Sequence, residues 1–438
     1  MKNKSPKLLY SDKTGNIYSH QSLHAVGFTP YKFSKPKPEC WIEIPEGTKL
    51  FYIPDFPAIG YDSEKKTPEY LYKLPHDERE PCFTVSAFLP PGYIRIYLSH
   101  FGRASEKPLP MWAYTACGEM DGKLFAAAFK IEDNPKWYPE NYDDRDLLRN
   151  IEQFETKYKD NRLFRHLANC ATDYHCFAAK NLFLKRWEAP IPTSPACNSN
   201  CLGCLSFQSA QSGFPASHER IKFVPEVSEI TELMLPHLEN ADDAIVSFGQ
   251  GCEGEPLLQS DLLIETTRIL REKTSRGTIN LNTNGSKPEV IDNLAKAGLD
   301  SIRISLNSAR KKLYDTYYKP MNYSFRDVRE TIKRSVDAGL FTMINYLIFP
   351  GITDTKMELD ELTALLKETK VNMIHMKNLN IDPDYYFNML EPDYEKPFGM
   401  KHFVLNLNKE FPSLFIGYFN QPKEIYKNLL SSPLILDI

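Results

Sequence analysis

Three cysteines, Cys197, Cys201 and Cys204, fall within eight residues in the spacing Cys-x3-Cys-x2-Cys. Thiolates at these intervals converge from one loop onto a metal centre. Their number bears on which centre. A structural zinc site takes four ligands and is closed. A four-iron cluster held by three cysteines leaves one iron open to an outside ligand. On spacing alone both readings stand, because a distant Cys252 or His218 would complete a zinc loop. Two more cysteines, Cys170 and Cys176, lie just upstream and with Cys252 form a candidate second site. Buried free thiols are the simpler reading of that trio.

The chain around these residues has 438 residues, nine cysteines and a net charge of -4, from 53 basic against 57 acidic side chains. That balance argues against a broadly basic surface that coats nucleic acid, and nucleic acid is not indicated as a partner. Met1 to Asn16 carries basic residues without an apolar core, so it does not read as a signal peptide. No apolar run approaches the roughly 18 residues of a membrane span. The expected compartment is cytoplasmic and reducing, with thiols rather than disulfides.

The elements that must position the cysteines divide the chain in two. Nineteen of the 32 prolines lie in residues 1 to 195, which breaks that part into short elements. Three hairpins are expected there. Trp41 to Ile44 pairs with Leu50 to Ile53, Phe83 to Leu89 with Tyr93 to Leu98, and Ala113 to Cys117 with Lys123 to Ala128. An antiparallel β-rich domain over 1–140 follows, then a helical connector over 141–188 that contains Cys170 and Cys176. Its charged stretch from Asp143 to Ala168 reads as one helix. In residues 189–438, β-branched runs at Ala244–Phe248, Thr278–Asn282, Ser301–Leu306, Phe341–Phe349 and Asn372–Met376 alternate with amphipathic helical patterns. Ser286 is expected to cap the helix from Pro288, and Gly298 and Gly339 to end helices. The fold class is α/β, with a parallel sheet that is open or curled into a barrel.

Cys-x3-Cys-x2-Cys at the end of a first strand resembles the radical SAM superfamily. The resemblance covers about residues 190–380. It implies a partial (β/α)6 TIM-like barrel and two cofactors, a [4Fe-4S] cluster on Cys197, Cys201 and Cys204, and S-adenosylmethionine (SAM) on the open iron. It also implies reductive cleavage to a 5′-deoxyadenosyl radical that abstracts hydrogen from a substrate, with a flavodoxin- or ferredoxin-type electron donor. Gly254-Glu255-Pro256 after the second strand resembles the end of the family's GGEP motif, with Glu253 in place of its first glycine. By the resemblance Glu255 meets the methionine ammonium, Asn284 and Ser305 the ribose, and Arg303 the carboxylate. By strand alternation Arg303 and Ser305 share a face, and Asn307 joins them if the strand continues. The family's usual aromatic residue before the last cysteine is here Gly203, and Phe207 is expected to supply apolar surface nearby.

Two other functions fit parts of the sequence. Gly249-x-Gly251-x-x-Gly254 has the glycine spacing of a dinucleotide fingerprint, which would suit a nicotinamide-dependent oxidoreductase. No acidic residue ends the next strand to hold a ribose, and Pro256 falls where the helix should already be bonded. A zinc-stabilised binding protein would use the cysteines but leaves the long α/β half unexplained.

Overall fold

The computed structural model describes residues 5–29, 32–102, 107–393 and 395–431. Strands from Lys7 to Lys130 form antiparallel sheets, the largest of ten strands. One expected hairpin is present, between Cys117–Met120 and Lys123–Lys130. Asp121 and Gly122 turn it with φ of 54° and 80°, the paired positive angles that a tight hairpin needs. The other two expected hairpins are not. Trp41–Glu43 and Tyr93–Arg95 both pair with Lys123–Lys130, while Lys49–Tyr52 pairs with Phe83–Phe88. The connections carry Pro45 and Pro90-Pro91. Proline fixes φ near −65° and lacks an N–H, so these links cannot form the primed two-residue turn.

The connector is broken rather than continuous. Helices Leu147–Lys157 and Arg162–Thr172 are separated where Asn161 caps the second, accepting from Phe164 N at 2.9 Å. A third helix, Phe177–Phe183, leads to the parallel sheet.

Seven parallel strands follow in sequential order: Glu188–Ile191, Ile245–Phe248, Thr278–Thr283, Ser301–Leu306, Phe341–Ile348, Met373–Asn378 and Phe415–Gly417. The seventh has three residues, too few to show a period in the sequence. Two expected helices start one turn late. Pro256–Gln259 and Pro288–Val290 are 3-10 turns that precede helices Ser260–Lys273 and Ile291–Ala297. Ser286 caps nothing, because Lys287 holds the cap position and the Ser286 hydroxyl is buried without a partner among the described residues. Gly298 and Gly339 end their helices at φ of 104° and 80°. Among the described residues no helix is long and apolar enough to cross a membrane.

Inside the parallel sheet, polar side chains form a belt across the strands. Glu188 Oε1 accepts from Ser247 Oγ at 2.6 Å, and Ser247 Oγ from Asn280 Nδ2 at 3.1 Å. Asn280 Oδ1 accepts from Ser301 Oγ at 2.9 Å. Arg303 Nη1 lies 3.1 Å from His375 Nδ1, and His375 Nε2 2.6 Å from Phe419 O. An arginine only donates, so His375 is neutral with its proton on Nε2. Asn420 Nδ2 returns to Glu188 Oε1 at 3.2 Å, so the segment after the seventh strand bridges back to the first. Below this belt Phe341, Met343, Met373 and Phe415 form an apolar layer against Tyr426 and Leu429.

One hydrophobic cluster joins the two halves, from Ile94 and Leu98 to Ile304 and Ile344. Fully buried Arg95 fixes the contact, donating from Nη2 to Leu379 O at 2.7 Å and from its backbone N to Asn378 Oδ1 at 3.0 Å. The antiparallel half is thus docked beside the carboxyl end of the sixth parallel strand.

His237, on helix Val227–Asn240, anchors that helix to the sheet through Nε2, 3.1 Å from Trp187 O. Burial pushes its pKa from 6.5 down to about 4, so the folded protein holds it neutral. The unfolded chain then binds the proton first, and stability is lost as pH falls from 6.5 through 4. At full protonation the loss is about 3 kcal/mol. Denaturant unfolding at neutral pH and near pH 4 should show it. His237→Gln, which keeps the donor to Trp187, should flatten that dependence.

Candidate active site

The cysteine loop leaves the first parallel strand at Ile191 and is held on two sides. Gly254 N donates to Ser194 O at 2.7 Å and Glu255 N to Ala196 O at 2.9 Å. Opposite, Asn200 N donates to Tyr318 O at 3.0 Å, Leu202 N to Tyr317 O at 2.9 Å, and Met321 N to Asn198 O at 2.9 Å. The turn after the second strand and the end of helix Lys311–Tyr318 therefore clamp the loop between them. Burial pushes the Cys201 thiol well up, and its neighbours Cys204 and Cys197 push it further. Burial, then Glu255, pushes Cys197 up to about 11. All three thiols must lose their protons when a metal binds. Arg220 Nη2 stands 3.6 Å from Cys204 Sγ.

Gly203 lacks an aromatic side chain for a steric reason. A Cβ there would meet the Tyr317 hydroxyl at 3.0 Å. Tyr314, Tyr317, Tyr318 and Tyr323 pack beneath the loop, and Tyr323 OH lies 2.7 Å from Ser199 Oγ. Phe207 does not line the site. It is 51% exposed, with the Arg220 guanidinium over its ring.

The glycines of the second-strand turn serve close backbone approach. A Cβ at Gly249 would lie 1.7 Å from Asn282 O, and one at Gly254 1.9 Å from Ala196 O. The turn wraps the carboxylate of Glu253, which accepts from Gly249 N at 2.6 Å, Thr193 N at 2.8 Å, Thr193 Oγ1 at 2.9 Å and Ser194 N at 2.9 Å. Burial pushes Glu253 up to about 7, and these donors oppose the rise by favouring the ionised form. Where the motif's first glycine was expected, Glu253 staples the ends of the first two strands together.

Glu255 is also buried. Its carboxylate accepts from Leu257 N at 3.0 Å, from Asn284 N at 2.8 Å and from Thr283 Oγ1. Burial, the largest influence, moves it up to about 7. Asn284 Nδ2 donates to Asn198 Oδ1 at 2.8 Å and Ser199 Oγ at 3.0 Å. Cys201, Glu255 and Asn284 therefore share the carboxyl end of the sheet. Ser305 and Arg303 are half-buried, one and three residues before the strand's end at Leu306. Asn345 Nδ2 reaches Ser305 Oγ at 3.4 Å. Asn307 does not join them, because the strand ends at Leu306 and the Asn307 amide turns to Leu313 O and Tyr386 OH, both at 3.2 Å.

Several residues of this region escaped the sequence reading. Lys377, on the sixth strand, donates to Tyr418 O at 2.5 Å. Burial and Arg303 press its pKa well down. Glu188, His375 and Arg220 were missed likewise. Strand alternation reveals which face a residue takes, not which faces oppose one another. Cys252 completes nothing at the loop; it meets Cys170 and His166 instead, their ligand atoms within 4.8 Å of one another.

The model of the Radical SAM superfamily matches residues 191–381. Among curated proteins, the chain is 24% identical over 184 residues to the FeMo cofactor biosynthesis protein NifB of Klebsiella pneumoniae, covering 38% of each. It is 34% identical over 100 residues to a putative glycyl-radical enzyme activating enzyme of Methanocaldococcus jannaschii, covering 23% of this chain and 35% of that one. The chain spans well under half the length of the curated relatives it matches. Among solved structures, SuiB of Streptococcus suis bound to S-adenosylmethionine aligns over 72% of both chains, at 14% identity and a TM-score of 0.39. Superfamily members are enzymes that bind a [4Fe-4S] cluster and SAM. Residues 191–381, a little under half of this chain, are thus similar to the Radical SAM superfamily.

Proposed function

We propose that Cys197, Cys201 and Cys204 hold a [4Fe-4S] cluster and that SAM binds against Gly254, Glu255, Asn284, Arg303 and Ser305. The observation that carries this reading is the clamp. The Gly254–Glu255 turn and Asn284 bond directly to the segment that bears the cysteines, so ligand loop and pocket are one unit. When bound, the reduced cluster would supply the electron that cleaves SAM to a 5′-deoxyadenosyl radical for hydrogen abstraction. The residues' part is to bind and orient. Arg303 keeps Nε buried and unpartnered among the described residues, an open donor for a carboxylate. Glu255 Oε2, which takes only Asn284 N, has a lone pair left for the methionine ammonium. The Ser305 hydroxyl and Asn284 would meet the ribose.

In this reading the parallel sheet is an incomplete barrel in a core of residues 189–438. The domain over 1–140 and the connector over 141–188 flank it. A flavodoxin- or ferredoxin-type donor would supply the electron, in the reducing cytoplasm. The test is anaerobic: cluster-loaded protein with SAM and reductant should release 5′-deoxyadenosine. Full iron and sulfide without that product would overturn the reading. Glu255→Gln places amide hydrogens against N–H donors and removes a charge-assisted bond. SAM affinity, measured by calorimetry, should fall about tenfold or more while iron content stays unchanged.

A further inference from the structure

We infer a second metal site: a single zinc ion held by His166 Nε2, Cys170 Sγ and Cys252 Sγ, with His218 Nδ1, which lies outside that cluster, drawn in as fourth ligand. The first three atoms lie within 4.8 Å of one another, with Cys170 and Cys252 buried and His166 half-buried. His166 Nε2 is 3.7 Å from Cys170 Sγ. Zinc takes sulfur at about 2.3 Å and imidazole nitrogen at about 2.0–2.1 Å, so a tetrahedral site sets sulfur and nitrogen about 3.6 Å apart, and two sulfurs about 3.8 Å apart. The observed spacing is thus that of one ion. A four-iron cluster binds each cysteine to a different iron and spreads the sulfurs wider than this group allows.

The fourth position has two candidates nearby: Cys176 N donates to Cys170 O at 2.9 Å, and Ile221, three residues after His218, donates from N to Cys252 O at 2.8 Å. His218 Nδ1 is buried with no hydrogen-bond partner among the described residues. Two thiolates and two imidazoles in a tetrahedron suit zinc. Binding would send the thiol protons to solvent. The ion would tie helix Arg162–Thr172 to Cys252, in the same turn as Glu253 and Glu255. The inference is independent of SAM chemistry.

The test uses full-length protein purified anaerobically, given equimolar zinc and desalted. Elemental analysis should find a single zinc per chain besides the iron. X-ray absorption at the zinc edge should show two sulfur and two nitrogen ligands. Joint Cys170→Ser and Cys252→Ser replacement should lose the zinc and keep the iron. Joint alanine replacement of Cys197, Cys201 and Cys204 should do the reverse. Wild-type protein without zinc, an all-sulfur shell, zinc lost with the Cys197 loop, iron lost from the Cys170/Cys252 variant, or a Cys170–Cys252 disulfide found by mass spectrometry would each overturn the assignment. The absorption spectrum of the wild type decides the matter even if the serine variant fails to fold.

Discussion

Alanine at Cys197, Cys201 and Cys204 together should remove the protein's four-iron centre and abolish formation of 5′-deoxyadenosine. Each single replacement should abolish the product as well. A four-iron centre with two thiolates has two open corners instead of one, and its geometry toward a chelating ligand is lost. The measurements are iron and acid-labile sulfide per chain, and product after anaerobic reduction. A triple variant that retains full iron and sulfide would sink the assignment. Retention of about half would instead mean that the loop cluster is lost and a second four-iron cluster sits elsewhere in the chain. The fold should survive, because no strand or helix of the parallel sheet runs through residues 197 to 204.

Gly254→Ala should be nearly as damaging, although the residue bears no functional group. Its Cβ would fall 1.9 Å from Ala196 O and 2.5 Å from the Ala196 carbonyl carbon, immediately before the first cysteine of the loop, Cys197. The obstruction is backbone, so no rotamer change relieves it. Overpacking of this kind costs about 1–3 kcal/mol, and here the strain falls on the cysteine loop. Both iron content and SAM affinity are expected to fall several-fold. Gly251→Ala is the internal control. A Cβ there would meet only the Leu205 side chain, at 3.4 Å, and the variant should load iron normally. Equal behaviour of the two variants would show that the Gly254 contact does not govern the loop.

The sequence reading reached furthest where the signal is local. Ser301–Leu306 came out with its observed bounds, and the helices from Val227 and Phe325 start where their apolar periods begin. That strand's apolar Ile302, Ile304 and Leu306 alternate with Ser301, Arg303 and Ser305, and a period of two marks a strand whatever its neighbours. The same reading misplaced pairing in the antiparallel half. Trp41–Glu43 finds its partner at Phe125–Ala127, far along the chain, and a short strand carries no mark of which edge it will join. It also took Leu257 and Pro288 as helix starts, where proline first makes a 3-10 turn.

The site divides along the same line. The cysteine loop, the Gly-Glu-Pro turn and their order along repeated strand–helix units were legible in the sequence, because a loop motif and a helix period are written in adjacent residues. Only the tertiary structure decided that Glu253 ties the first two strands, that Arg303 faces His375, and that Cys252 meets Cys170 and His166 rather than the loop cysteines. Each of these contacts joins elements whose separation is fixed by how the sheet curves and how helices cover it. A buried carboxylate or thiol finds its partners across that curvature, and no interval in the sequence encodes the distance.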